Sequence, residues 1–504
     1  MKIILLFLTI ANFYNVEAEE NPIVSTKNGM VKGEYKISKT GKKVETWNRI
    51  PYAKPPLDDL RFLPPQPVDK WDGILDTKPL PNACFQLEDF DFGNEKWNLN
   101  VPMSEDCLYL TIVTPHPRPK NAAVLFWIYG GGFNFGSTTL DLYDYKTLSS
   151  VTDVIVVAPQ YRLGPLGFLA TENNEIHGNA GLRDQYLALK WIHENINNFG
   201  GDPSKITLMG ESAGSASVGY HLMSSFSKPL FSQAIMESGV TNNIWALQPR
   251  KMTSLNTLNL ANDVGCLNHK NNVDVAIECL KKTNASEITK HSFSLTDQTM
   301  FRFCPNVDGE FITEDPYEFV NDPKNKIDKN ILIGSTKDEG ALSLYMIFPD
   351  IFPLNSTKPK ITHSIFNSIV KNMYQQYPES IIQLISYEYT NWKNINDGMD
   401  NAKALRDLLS DTWFTCGINE FIDFIVKNSS KKIYRYVFSH HSSQSKLPEW
   451  TGAAHADDLY FVFGDGLNPD MNYTEEEKLL SLQIMKYFGN FAKNGYSNLS
   501  VGLY

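Results

Sequence analysis

Cysteine is scarce, with six in 504 residues. That density is far below a disulfide scaffold, so a hydrophobic core has to carry the fold. Basic residues are outnumbered, 46 Lys and Arg against 57 Asp and Glu, a balance of −11. This argues against nucleic acid or an anionic membrane as the main partner and is compatible with a cationic small molecule. No stretch beyond the N-terminus supplies the ~20 apolar residues of a membrane helix. There is no internal repeat, no low-complexity tract and no Gly/Ser linker. What is present is 42% hydrophobic and 12% aromatic residues. That composition supports a large core and excludes a mostly disordered chain.

At the N-terminus Lys2 precedes an apolar run from Ile3 to Ala11, and Val16-Glu17-Ala18 offers small residues at −3 and −1. Residues 1–18 therefore read as a secretory signal peptide, leaving 19–504 as a soluble, extracellular product. Sequons at Asn284, Asn355, Asn428, Asn472 and Asn498 fit that route as candidate glycosylation sites. Export permits disulfides. Cys84 with Cys107 and Cys266 with Cys279 would close short loops, whereas Cys304 and Cys416 either pair with each other or stay reduced.

Asn28-Gly29 between Ile23–Thr26 and Met30–Lys32 predicts a hairpin. Short apolar runs then alternate with helical patterns. Val124–Tyr129, Val154–Ala158, Ile206–Met209, Asn330–Ile333 and Ile433–Phe438 read as strands. Leu182, Tyr186, Leu189, Ile192 and Ile196 recur at helical spacing, and Gly200-Gly201 stops that helix. Strands alternating with helices predict one large α/β domain, with a mostly parallel sheet covered by helices on both faces.

The sharpest chemical signal is Gly210-Glu211-Ser212-Ala213-Gly214, between a strand and a helical pattern. That is the setting of a nucleophile elbow, where a tight turn exposes the Ser212 hydroxyl and the Ala213 N–H faces a developing oxyanion. Gly130-Gly131-Gly132 follows an earlier strand. In an ester hydrolase such a loop supplies further N–H donors, because glycine lets the backbone approach the substrate. A serine needs a base, and the base needs an orienting acid. His455, in the small-residue loop Gly452–Ala456, is a candidate base, with His363, His440 and His441 as rivals. Glu339, in Asp338-Glu339-Gly340 after a strand, is a candidate acid.

Several stretches resemble signatures of the type-B carboxylesterase/cholinesterase family. They are Trp127–Phe133, Ser104–Leu110, Phe199–Pro203 and Gly210–Gly214. The resemblance spans about residues 22–494 and implies an α/β-hydrolase fold with no cofactor and no metal. It implies a triad of Ser212, Glu339 and His455, and an oxyanion hole of Gly131, Gly132 and Ala213. It also implies disulfides Cys84–Cys107 and Cys266–Cys279, and a buried ion pair of Arg61 with Glu105. Within the family the chain is most similar to the acetylcholinesterases. Trp97, ten residues before Cys107, matches the tryptophan that binds a choline ammonium. Glu211 resembles the carboxylate beside that cation. Trp245, Phe301 and Phe303 resemble acyl-pocket aromatics, and Tyr143 matches a gorge tyrosine. The implied activity is hydrolysis of choline esters, acetylcholine first.

The departures bear on substrate range. Leu342 and Ser343 stand where the family's cholinesterases carry aromatics. Asn134, Leu87 and Leu447 replace further aromatics. They favour a broader carboxylesterase as the alternative reading. A non-catalytic, cholinesterase-like binding or adhesion protein is the alternative of another class. The chain stops at Tyr504, before the family's usual final segment, so the resemblance implies a C-terminally shortened domain and, by analogy, a monomer.

Overall fold

A computed structural model describes residues 20–87, 94–173, 175–267, 273–291, 301–354 and 356–496. The leader 1–18, Asn355 and Asn498 lie outside them. The described strands are β1 (Ile23–Ser25), β2 (Met30–Lys32), β3 (Glu34–Ile37), β4 (Lys43–Pro51), β5 (Ile74–Asp76) and β6 (Tyr109–Pro115). They continue as β7 (Ala122–Ile128), β8 (Ile155–Pro159), β9 (Gly201–Glu211), β10 (Gln233–Glu237), β11 (Asn330–Thr336) and β12 (Ile433–Phe438). The predicted hairpin is β1 and β2, paired antiparallel with Val24 opposite Val31. Strand β5 completes their three-stranded sheet.

The main sheet runs β12-β11-β10-β9-β7-β8-β6-β4-β3. From β8 to β12 every neighbour is parallel, and the β8-β6-β4-β3 side is antiparallel. The central strands are buried along both faces, which is why Val124–Ile128 reads as a continuous apolar run rather than an alternating one. Helices Ala180–Asn195, Ala213–Met223 and Glu475–Asn494 pack around the sheet. The last begins in a capping box of Thr474 and Glu477 and buries Met485, Phe488 and Phe491. No described helix is long and apolar enough to cross a membrane.

Strand β9 starts at Gly201, earlier than its apolar run, because Gly201 already pairs with Ala122 of β7. Backbone pairing needs no apolar side chain, so hydrophobicity alone under-reads this strand. Cys84–Cys107 and Cys266–Cys279 are bonded, whereas Cys304 and Cys416 are both free. Arg61 donates to both Glu105 oxygens at 2.7 and 2.5 Å, with side chains 9% and 12% exposed. Asn284 and Asn472 are exposed. Asn428 Nδ2, the atom a glycan would occupy, donates instead to Phe424 O at 2.9 Å.

Candidate active site

The carboxyl ends of the parallel strands converge on one cavity of about 480 Å³. This is where open α/β sheets hold ligands. Ser212 follows β9 and immediately precedes the helix Ala213–Met223, with φ 55° and ψ −122°. That left-handed φ is strained for a residue with a side chain. The flanking glycines are required by space. A Cβ at Gly210 would strike the Gly214 backbone, and one at Gly214 would strike Ile128 O at the end of β7. The turn is pinned by Ser212 N donating to Glu237 O at 2.8 Å.

His455 and Glu339 meet across two later loops. His455 Nδ1 lies 2.5 Å from Glu339 Oε2, and Thr336 N donates to Glu339 Oε1 at 2.7 Å. The loops are cross-linked through Asp338, whose N–H donates to Ala453 O at 2.9 Å. Its carboxylate accepts from Ala453 N at 3.0 Å and pairs with Arg406 at 3.0 Å. The rival histidines are engaged elsewhere. His440 Nε2 contacts Glu477 Oε1 at 2.9 Å, His441 Nδ1 contacts Gly452 O at 2.7 Å, and His363 Nε2 contacts Thr390 Oγ1 at 3.2 Å.

One expected contact is absent among the described residues: Ser212 Oγ makes no hydrogen bond with His455. The imidazole Nε2 faces Glu211 Oε1 at 3.1 Å instead, although Ser212, Glu211 and His455 share the cavity. Catalytic contacts often tighten only once substrate is bound. Burial alone would pull the His455 pKa down, but the Glu211 and Glu339 carboxylates outweigh it and raise it to about 9. Burial pushes Glu211 up to about 8, against the pull of His455. Glu211→Gln removes one of the two carboxylates holding the imidazolium. A base that loses its proton more easily is active at lower pH. The acid limb of kcat/KM for a neutral ester is therefore expected to move down by roughly 1 pH unit. An unmoved or raised limb would show that Glu211 does not hold the proton.

The glycine loop after β7 lies against the same elbow. Gly131 and Gly132 have φ of 104° and 58°, and a Cβ on Gly132 would strike the Phe301 ring. A Cβ on Gly130 would come within 2.6 Å of Glu211 Oε2. Gln86 clamps the loop, accepting from Gly136 N and donating to Gly136 O, both at 2.8 Å.

Trp97, Tyr143, Trp245 and Phe301 line the cavity. Trp97 Nε1 donates to Tyr460 OH at 3.1 Å, and Trp245 Nε1 to Trp413 O at 2.8 Å. Tyr143 packs edge-on against Trp127 and Phe463. Phe303 is not among the lining residues. It is fully buried in a second core beside Cys304, and its carbonyl accepts from Asn134 Nδ2 at 3.1 Å. Leu87, Leu342, Ser343 and Leu447 line the cavity, so those departures face its interior. Sequence reasoning missed Phe414, whose ring centroid is 4.6 Å from that of His455. It also missed Asp457, which accepts from Ala454 N at 2.8 Å and is pushed up to about 8 by burial. An acid two residues after a candidate base was a legible signal; nothing local marked Phe414.

Comparison with known proteins gives the chain a family. Residues 20–502 match the carboxylesterase family. An acetylcholinesterase of Bungarus fasciatus is 38% identical over 480 residues, covering 94% of this chain and 78% of the relative. A cholinesterase of Mus musculus is 39% identical over 498 residues, covering 97% and 81%. An acetylcholinesterase of Leptinotarsa decemlineata is 36% identical over 503 residues, covering 94% and 78%.

Proposed function

The chain belongs to the carboxylesterase family and is a serine carboxylic-ester hydrolase, and from that premise we propose that its substrates are choline esters, acetylcholine first. The observation that carries the reading is Trp97 lining the same cavity as Ser212, with Glu211 on that cavity too and facing the imidazole at 3.1 Å. An indole face attracts a quaternary ammonium through its quadrupole. Phe301, against the glycine loop, and Trp245, beside Gly239, both line the cavity and bound the space for a small acyl group.

In this reading Ser212 Oγ attacks the acyl carbon while His455 Nε2, turned from Glu211, takes its proton. Glu339 holds Nδ1 and stabilises the imidazolium. The N–H groups of Gly131, Gly132 and Ala213 hold the oxyanion. His455 then protonates the departing choline oxygen, and water releases acetate from Ser212 by the same route. The reading includes export by the leader, with glycans on exposed sequons such as Asn284 and Asn472.

The test compares acetylthiocholine with its neutral isostere, 3,3-dimethylbutyl thioacetate. The cationic ester should be favoured in kcat/KM, and Trp97→Ala should lower that preference by about 10- to 30-fold. No preference, and no loss on substitution, would instead assign a broader carboxylesterase. That second reading draws on Leu342 and Ser343 at the cavity wall.

A further inference from the structure

We propose that Lys96 is a specificity-determining residue: its ammonium, held in the wall that carries Trp97, weakens selection of a cationic leaving group over a neutral one of the same shape. The inference rests on Trp97 being the leaving-group subsite.

The short helical turn Glu95–Trp97 sets Lys96 and Trp97 side by side, with Asn94 Oδ1 accepting from Lys96 N at 3.1 Å. Tyr460 ties them to one place. Its hydroxyl accepts from Trp97 Nε1 at 3.1 Å and from Asn94 Nδ2 at 2.8 Å. Its ring centroid lies 5.9 Å from Lys96 Nζ. The ammonium sits 2.5 Å from Asp465 Oδ2, with the two side chains only 18% and 6% exposed. Lys96, Trp97, Tyr460 and Asp465 all line the cavity.

Asp465 looks like a carboxylate available to a cationic substrate, but it is already committed. Lys39 Nζ approaches its other oxygen at 3.4 Å, and the Tyr473 hydroxyl donates to Oδ2 at 2.8 Å. Lys39 also lies 3.5 Å from Asp144, and Lys146 is 3.3 Å from the same carboxylate. Three ammoniums therefore face two carboxylates. Of the three, only Lys96 lines the cavity, and Glu95, the acid beside it on the same turn, is exposed to solvent, where its charge is screened. The acids nearer the nucleophile are engaged elsewhere: Glu211 Oε1 faces His455 Nε2 at 3.1 Å, and Asp457 accepts from Ala454 N at 2.8 Å. A quaternary ammonium reaching Trp97 thus meets a like charge in a part-buried site, where screening is weak. A neutral ester does not meet that opposition.

The experiment reads one ratio, kcat/KM for acetylthiocholine over kcat/KM for 3,3-dimethylbutyl thioacetate. Lys96→Gln keeps a donor for Asp465 without the charge, and Lys96→Met removes both. Each should raise the ratio about tenfold, through KM of the cationic ester rather than through kcat. Lys96→Arg keeps the charge and should leave the ratio at its wild-type value. A role confined to holding the loop would move both esters together. Equal ratios in the Gln, Met and wild-type enzymes would overturn the proposal, as would a rise in the Arg variant. Trp97→Ala is run alongside. If it leaves the ratio unchanged, the subsite reading itself fails; if it lowers the ratio while the Lys96 variants do nothing, only the role of Lys96 fails.

Discussion

Ser212→Ala is expected to lower kcat/KM for every ester substrate by about 10⁴- to 10⁶-fold, and to abolish covalent labelling by an organophosphate. The magnitude follows from what the hydroxyl alone can do. His455, Glu339 and the glycine loop can still bind and polarise an ester, but no acyl-enzyme can form. Residual turnover from positioning and the oxyanion donors should remain, about 10³- to 10⁴-fold above water. The fold should not suffer. Ser212 lends its backbone N–H to Glu237 O, and its hydroxyl has no bond to His455 to lose. Alanine meets the same backbone strain at φ 55° as serine does. An unchanged thermal midpoint with lost activity separates a chemical role from a structural one. Titration of wild type with a stoichiometric organophosphate should give one site per chain. No labelled site would favour a non-catalytic binding protein, and wild-type turnover by Ser212→Ala would remove the mechanism.

The elbow was legible because its chemistry forces its sequence. A serine at positive φ between a strand end and a helix needs glycine on both sides, and the structure shows which atoms a side chain at 210 or 214 would strike. The acid and the base were legible only as candidates, since 116 positions separate Glu339 from His455 and only the sheet brings them together. Resemblance selected them among several. The acyl-pocket pattern was less readable. Phe301 and Phe303 are two apart, so in extended chain they would share a face, yet one meets the cavity and the other enters a core behind it. The orientation of the imidazole lay beyond sequence altogether. Whether Nε2 faces Ser212 or Glu211 depends on local packing, including the Phe414 ring, which arrives from a separate helical turn at Asp411–Thr415.

Behind the glycine loop, the largest stability effect is expected from the Arg162–Asp184 pair. Asp184 Oδ2 accepts from Arg162 N at 3.0 Å and Nε at 2.8 Å, and Oδ1 accepts from Nη2 at 2.7 Å. The side chains are 4% and 0% exposed. Burial raises the Asp184 pKa despite the guanidinium beside it, so desolvation exceeds the attraction and the intact pair contributes little net stability. Removing one member is a different matter. Asp184→Leu leaves a buried guanidinium and a buried N–H without a partner. It should cost about 3–5 kcal/mol in urea unfolding. Arg162→Met should cost a similar amount, by stranding the carboxylate. The double variant Arg162→Met/Asp184→Leu should cost far less than the two singles together, because neither charge remains to be stranded. The effect should reach catalysis as well. Gly164 N donates to Phe133 O at 2.8 Å, which ties the segment after Arg162 to the end of the glycine loop. The singles should therefore lose kcat before they unfold, as the oxyanion donors shift. Single variants within about 0.5 kcal/mol of wild type, or costs that simply add in the double, would show that the two charges do not depend on each other.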